Sequence, residues 1–579
     1  MNPAAFLLAS PLRGPRSSQQ VLSAAGSPDR VCAADPQLWT DHGTGVIDLG
    51  PSGRILGVLF SRSSGLRLEA LPAHAPLDRP PEILAAWLLR ECWGAYLAVL
   101  GEPSSGGFQV LSDPSGLLPV YRCETLTHVV LTSHPALLLQ GAGKPVRPSW
   151  PALHAHLCRP DLRQRATCLD GVSELEPGTL APLTGQSVSP VRIWQPETFL
   201  PQGPAMSFGE AAEELRGLAV GAIGAWSRSL GPAAVAASGG VDSSLICAAL
   251  IRGGAGFSCI TLATADPSGD ERSFVRLLAE HLGVRSIAAL YDPGQIDPLR
   301  TASAGLARPS RKPFLAALDS ALLEAADNLG ASVIFDGNGG DNLFCFLHSA
   351  APVADRLRCE GPGRGSWATF LDMCHVTGCD LATMARAVLR RLTRRGHADI
   401  WPADMRLLAP EPDGQADLNP LTPWLDTEVD RHRGKRDHLA LIMRAQNHLH
   451  CLGVAGLPRF SPLMSQPLLE FCLGVPTWLW CAGGINRAPA RSAFARDLPP
   501  EIVRRTSKAG PDSFIRRSFS DNRSTIRAML LDGLLARQSL LDLAAVEQAL
   551  GVDAMAGGSI IYRLLDLAEA EAWARSWQG

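Results

Sequence analysis

Downstream of about residue 208, short apolar runs alternate with stretches in which apolar residues recur every three or four positions. The runs at 233–237, 257–263, 285–290 and 332–337 predict strands. Between and before them, 209–228, 270–283 and 313–330 predict helices. In the second of these, Phe274, Leu277, Leu278 and Leu282 share a face; in the third, Phe314, Leu318, Ala321, Leu322 and Ala325 align. Strands alternating with helices imply a parallel sheet covered on both faces, with ligands at the carboxyl ends of the strands. Beyond about residue 365 the pattern becomes mainly helical.

The first 200 residues read differently. They are rich in proline and glycine, and the runs at 55–61, 108–112 and 128–133 predict β-strands. Helical stretches near 82–92 and 149–158 punctuate them. This pattern fits an α+β layered unit. A proline-rich connector at 196–207 then divides the chain into units of 1–200 and 208–579.

Composition narrows the class. The 579 residues are 46% hydrophobic and 19% charged, as in a globular protein with ample core. A formal net charge of −3 gives no global pull towards nucleic acid. The 14 cysteines are scattered, with no C-x-x-C pair, which fits reduced thiols in the cytoplasm. His448 and His450 beside Cys451 come nearest to a metal cluster, but core packing is the expected role. Arg386, Arg390 and Arg394 recur at helical spacing, as on a solvated helix face. The apolar patch near the start is too short for a signal segment, and no run approaches membrane-spanning length.

Two glycine-rich loops carry the chemistry. After the 233–237 run the chain reads Ser238-Gly239-Gly240-Val241-Asp242-Ser243-Ser244. Glycine lets the backbone approach a ligand, and loop amides ahead of a helix suit an anion. Ser243 and Ser244 are expected to cap the helix, and Asp242 to stand where a phosphate-bound Mg2+ would sit. After the 332–337 run comes Gly337-Asn338-Gly339-Gly340-Asp341-Asn342. Asp341 is expected to face Asp242 across adjacent strand ends, forming a carboxylate pair for Mg2+.

The first loop lacks the Gly-Lys-Ser/Thr ending of a Walker A motif and is similar to the pyrophosphate loop of the ATP pyrophosphatases. Alone it fits tRNA thiolases, NAD synthetases and amide synthetases equally. Together with the Asp341 loop and the stretch Leu498-Pro499-Pro500 through Lys508, it resembles the asparagine synthetase family over nearly the whole chain. The segment Arg459-Phe460-Ser461-Pro462-Leu463-Met464 resembles a helix entry of that family, with Ser461 and Met464 departing from its pattern. The resemblance implies an α/β synthetase domain with a helical C-terminal extension behind an α+β glutaminase-like sandwich domain. It implies ATP and Mg2+ as cofactors. Ala236, Ser238, Gly239, Gly240, Asp242, Ser243, Ser244, Thr261, Asp336 and Gly337 would hold ATP and pyrophosphate. Asp242 and Asp341 would hold the metal, and Lys508 would neutralise charge at the α-phosphate and the tetrahedral intermediate.

In the N-terminal unit, Ser112-Asp113-Pro114-Ser115-Gly116, Pro119-Val120-Tyr121, Thr132-Ser133-His134 and Leu175-Glu176-Pro177-Gly178 resemble the glutaminase half of such enzymes. A working glutaminase places a cysteine directly after the initiator methionine. Here the chain reads Met1-Asn2-Pro3 and the nearest cysteine is Cys32, so no glutaminase chemistry is expected. The wording from Gly339 to Cys345 is most similar to the lasso-peptide cyclase branch, and Asn338 stands where asparagine synthetases carry a functional Glu. An amide is no general base at neutral pH. The expectation is adenylation of an Asp or Glu side chain in a precursor peptide. Ring closure follows by the peptide's N-terminal amine, freed by a leader-peptide protease. The alternatives are an ammonia-dependent asparagine synthetase, a small-molecule β-lactam or amide synthetase and, last, a non-catalytic ATP-binding module.

Overall fold

The computed structural model describes residues 6–11, 29–30, 37–40, 44–101, 107–126, 128–141, 146–162, 164–183, 190–201, 206–263, 270–291, 296–309, 315–393, 401, 403–410, 433–449, 457–506, 512–551 and 558–578. Three sheets organise them. The first has the order Val172–Glu174, Tyr121–Glu124, His128–Thr132, Phe6–Pro11, Gln37–Thr40, Asp29–Arg30. The second has the order Val191–Arg192, Thr179–Pro182, Phe108–Ser112, Cys92–Gly101, Gly53–Ser61, Val46–Asp48. The third is parallel throughout, in the order Arg285–Leu290, Phe257–Ala263, Ala233–Ala236, Val333–Asp336, Arg459–Phe460.

Strand periodicity divides the cores. In Phe6–Pro11, Phe6 and Leu8 face the second sheet's core, whereas Leu7 and Ala9 face helices from the end of the chain, including Arg523–Asp532 and Gly558–Ser576. The first sheet is thus covered on both sides. In the parallel sheet, Val235 and Phe335 pack towards helices Phe208–Leu230 and Val241–Arg252, and Ala234 and Ile334 towards helix Leu315–Asn328. The predicted strands of this sheet are present within a residue or two, and the described part of the third predicted helix is Leu315–Asn328. Helix Phe208–Leu230 starts on a capping box, with Ser207 and Glu210 each bonding the other's backbone amide.

Several strands were not foreseen, Cys92–Gly101 and Arg459–Phe460 among them. Residue 92 ends no helix. The helix is Pro81–Glu91, and Cys92 opens a ten-residue strand at the middle of the second sheet. Arg459–Phe460 adds an edge to the parallel sheet beside Val333–Asp336.

The two halves share one apolar core. Phe60 and Trp93 stack at 4.5 Å, and Trp226 meets them edge-on at 4.8 and 5.8 Å. Trp226 also touches Phe460 at 4.3 Å and donates its indole N–H to Ser465 Oγ at 2.9 Å. A buried ion pair, Arg308 to Glu174 at 2.7 Å, adds a polar link. Among the described residues no helix is long and apolar enough to cross a membrane.

Candidate active site

The parallel sheet aims two loops at one place. The central strand Ala233–Ala236 and its neighbour Val333–Asp336 run side by side, so residues 237–240 and 337–339 leave from adjacent carboxyl ends. The two loops touch through glycine. A Cβ on Gly337 would lie 2.9 Å from the Ser243 amide nitrogen, and one on Gly340 would lie 2.4 Å from Asp242 Cγ. Gly239 sits at φ +63° with Phe274 where a Cβ would go.

The first loop is tied internally. Ser238 Oγ accepts the Gly240 N–H at 3.3 Å; Ser243 Oγ accepts the Ser238 N–H at 3.3 Å and donates to the Gly240 carbonyl at 3.4 Å. This corrects the capping expectation. Gly240 is the N-cap of helix Val241–Arg252, and neither Ser243 nor Ser244 caps it, because both lie inside its first turn. Ser244 is fully buried, and its hydroxyl has no hydrogen-bond partner among the described residues. Thr261 is buried in the neighbouring strand, and Ala236 ends the central one.

The second loop is tied through Asp336. Its Oδ1 accepts the Asn338 N–H at 3.1 Å and the Ser461 hydroxyl at 2.5 Å. Its Oδ2 accepts Arg459 Nε at 2.7 Å and the Asn338 side-chain amide at 2.8 Å. The Asp336 carboxylate therefore fastens the loop and the edge strand, and Asn338 turns back onto its own loop.

Asp242 and Asp341 do converge. Both bind a single cation, the Arg487 guanidinium: one terminal nitrogen donates to Asp242 Oδ2 at 2.9 Å, and the other pairs with Asp341. The Phe346 ring lies 5.2 Å from the same guanidinium. Two carboxylates meeting at one cation position form a hard-oxygen donor set of the kind Mg2+ takes. Arg491 secures the segment behind. It donates to the Asn486 carbonyl at 2.7 Å, the Asn486 side chain at 2.8 Å and the Val503 carbonyl at 2.6 Å. Burial, then the charge of Arg487, lowers its pKa to about 10.

Arg505 clamps the first loop from outside. It donates to the Ser238 carbonyl at 2.8 Å and to Glu271 at 2.7 Å, and it stacks on Phe274 with 3.9 Å to the ring centroid. Lys508, three positions on, lies outside the described residues. Arg487 and Arg505 were not foreseen. Each is separated from its partner loops by more than a hundred residues, and nothing local marks either as more than a surface cation.

The N-terminal motifs also have places. Asp113 Oδ1 accepts the Ser115 and Gly116 amides at 2.9 and 3.1 Å; burial raises its pKa to about 7. Thr132 and Ser133 bond the backbone of Phe6 at 2.9 and 3.1 Å, fixing the start of its strand. Gln446 donates to the Pro114 and Ser115 carbonyls at 3.1 and 3.0 Å, joining that turn to the C-terminal half. His448 lies 3.6 Å from Asp161, while His450 and Cys451 fall outside the described residues. Arg386 and Arg390 are exposed on helix Leu381–Thr393, and Arg394 falls outside the described residues.

A family model described as asparagine synthase matches residues 214–575. No curated protein matches the chain.

Proposed function

The chain belongs to the asparagine synthase family, which forms amide bonds with ATP, and we propose that this enzyme closes a ring in a short precursor peptide. The observation that supports ATP chemistry at this site is the convergence of Asp242 and Asp341 from two touching glycine loops. Asp242 and Asp341 would hold Mg2+, whose charge would offset that of the phosphates. Ser238, Gly239, Gly240 and Ser243 supply a loop and an uncapped helix start for pyrophosphate.

The reaction balances in two steps. A side-chain carboxylate oxygen of the peptide attacks the α-phosphorus, the bond to the bridging oxygen of the β-phosphate breaks, and pyrophosphate leaves. The peptide's α-amine then attacks the acyl carbon, a C–N bond forms, AMP leaves with the C–O electron pair, and the amine gives up its proton. Lys508 would stabilise the negative charge of both transition states. Arg505 would keep the Ser238 carbonyl turned aside and the loop open to phosphate.

A peptide amine rather than ammonia fits the N-terminal half. Cys92 is buried, and its thiol is pushed up to about 12 by that burial; Cys123 and Cys168 are buried in strand and loop packing. Burial denies all three the solvent access a nucleophile needs. This half acts as a buttress through Phe60, Trp93 and Glu174.

The test is pyrophosphate release with a candidate core peptide, read beside product mass. Loss of one water, abolished in Lys508→Ala, is the expected result. Turnover with free aspartate and ammonia, or with a small amino acid and no peptide, would replace peptide cyclisation with one of those activities.

A further inference from the structure

Arg487 occupies the position that the two carboxylates define. Its terminal nitrogens are spent on Asp242 and Asp341, its Nε is buried without a hydrogen-bond partner among the described residues, and the Phe346 ring lies 5.2 Å away. Its backbone is left-handed, at φ +55°, a conformation that side-chain-bearing residues rarely adopt. The strain is held in place from behind: Arg491 pins Asn486 and Val503, and helix Ala488–Ala493 begins directly after Arg487. The base of this arm is therefore fixed, and its tip rests on two acids and a ring.

We propose that Arg487 is a built-in counter-cation that keeps the Asp242–Asp341 pair assembled before nucleotide binds and must leave it when a divalent cation arrives. The proposal rests on the reading that these two acids hold the metal. Charge makes the two occupants exclusive. The Arg487 guanidinium offsets one of the two carboxylate charges directly, and Arg491 behind it is close enough to interact with both acids and with Arg487. A divalent ion added to the same acids would bring two more positive charges to a pair whose negative charge these arginines already counter. The site then resists metal alone and accepts it together with the negatively charged phosphates. A guanidinium swung off the acids is left close to those phosphates, the anions it pairs with best. Arg487 would thus couple metal entry to nucleotide entry, so that neither carboxylate is committed to a bare ion.

The test uses the full chain without ATP or peptide, with Mn2+ as the probe and free Mn2+ counted by electron paramagnetic resonance. Arg487→Gln is expected to bind Mn2+ at least ~10-fold more tightly than wild type, because the competing charge is gone. The added affinity should vanish in the Arg487→Gln/Asp341→Asn double variant. Arg487→Lys, which keeps the charge but cannot bridge two carboxylates with a planar fork, should fall between. In thermal unfolding, Arg487→Gln should melt lower than wild type without metal and recover with Mn2+. An unchanged Mn2+ affinity in Arg487→Gln, or a gain that survives Asp341→Asn, overturns the proposal. If Arg487→Gln does not fold, Arg487→Lys decides, and wild-type affinity there overturns it. No peptide enters the assay, so this result and the cyclisation result can fail separately.

Discussion

Gly340→Ala tests the contact between the two loops most directly. The new Cβ would lie 2.4 Å from Asp242 Cγ, 2.6 Å from its Cβ and 2.7 Å from Oδ1, whereas ordinary contact begins at 3.4 Å. Relieving the closest overlap takes a shift of about 1 Å, and a misplacement of that size costs on the order of 100-fold in rate. The clash is with the middle of a short side chain whose Oδ2 is held by Arg487, so it cannot be relieved by swinging a flexible tip. Overpacking of this kind costs roughly 1–3 kcal/mol in stability, which a protein of this size should survive. Two measurements on purified protein separate the effects. Circular dichroism and the melting temperature report folding, and the melting shift with Mg2+ and ATP reports assembly of the site. The expected outcome is a folded protein with little or no nucleotide-dependent shift. A folded Gly340→Ala protein with the full wild-type shift would refute the idea that Asp242 must sit where the loops press it.

Three further outcomes are expected. Arg505→Ala removes the clamp on the Ser238 carbonyl and should weaken ATP binding ~10-fold by titration, with Arg505→Lys recovering only part because it lacks the fork. Glu569, bonded by Thr301 and Ser303, has its pKa raised by burial from 4.5 to about 8. Its raised folded-state pKa gives stability that is full below about 4.5 and lost as pH rises through about 8. Denaturation midpoints of Glu569→Gln should therefore lack that decline, and its stability relative to wild type should improve by a few kcal/mol between pH 5 and 9. Gly221 is exposed inside helix Phe208–Leu230, and an added methyl group would meet nothing within 4 Å, so Gly221→Ala should stabilise by roughly 0.5–1 kcal/mol in the same assay.

What could be read from sequence depended on how local its cause was. Parallel strands buried on both faces announce themselves as short apolar runs, and 233–237, 257–263, 285–290 and 332–337 did so. The carboxylate pair was legible because each acid sits a few residues past such a run. Cys92–Gly101 was hidden because an apolar helix runs into an apolar strand without a polar break, leaving no change in period to mark the join. Arg459–Phe460 was too short to show any period, and its place depends on Asp336 gripping Arg459 and Ser461 across more than a hundred residues. Arg487 and Arg505 owe their roles to partners far away in the sequence, so only the folded chain brings them to the loops. The serine caps failed for a local reason: the glycine ahead of them takes the cap position, and Ser243 closes the loop instead.

The stack of Phe60, Trp93 and Trp226 bears on how such a gene can change over time. Whatever chemistry residues 1–200 keep, a lineage cannot trim them away as spare baggage. A shortened protein would turn the faces of Trp226 and Phe460 out to water, and the indole and ring surface so uncovered would invite aggregation. The N-terminal half is therefore free to lose residues suited to a reaction, but only along routes that keep its aromatic face in place.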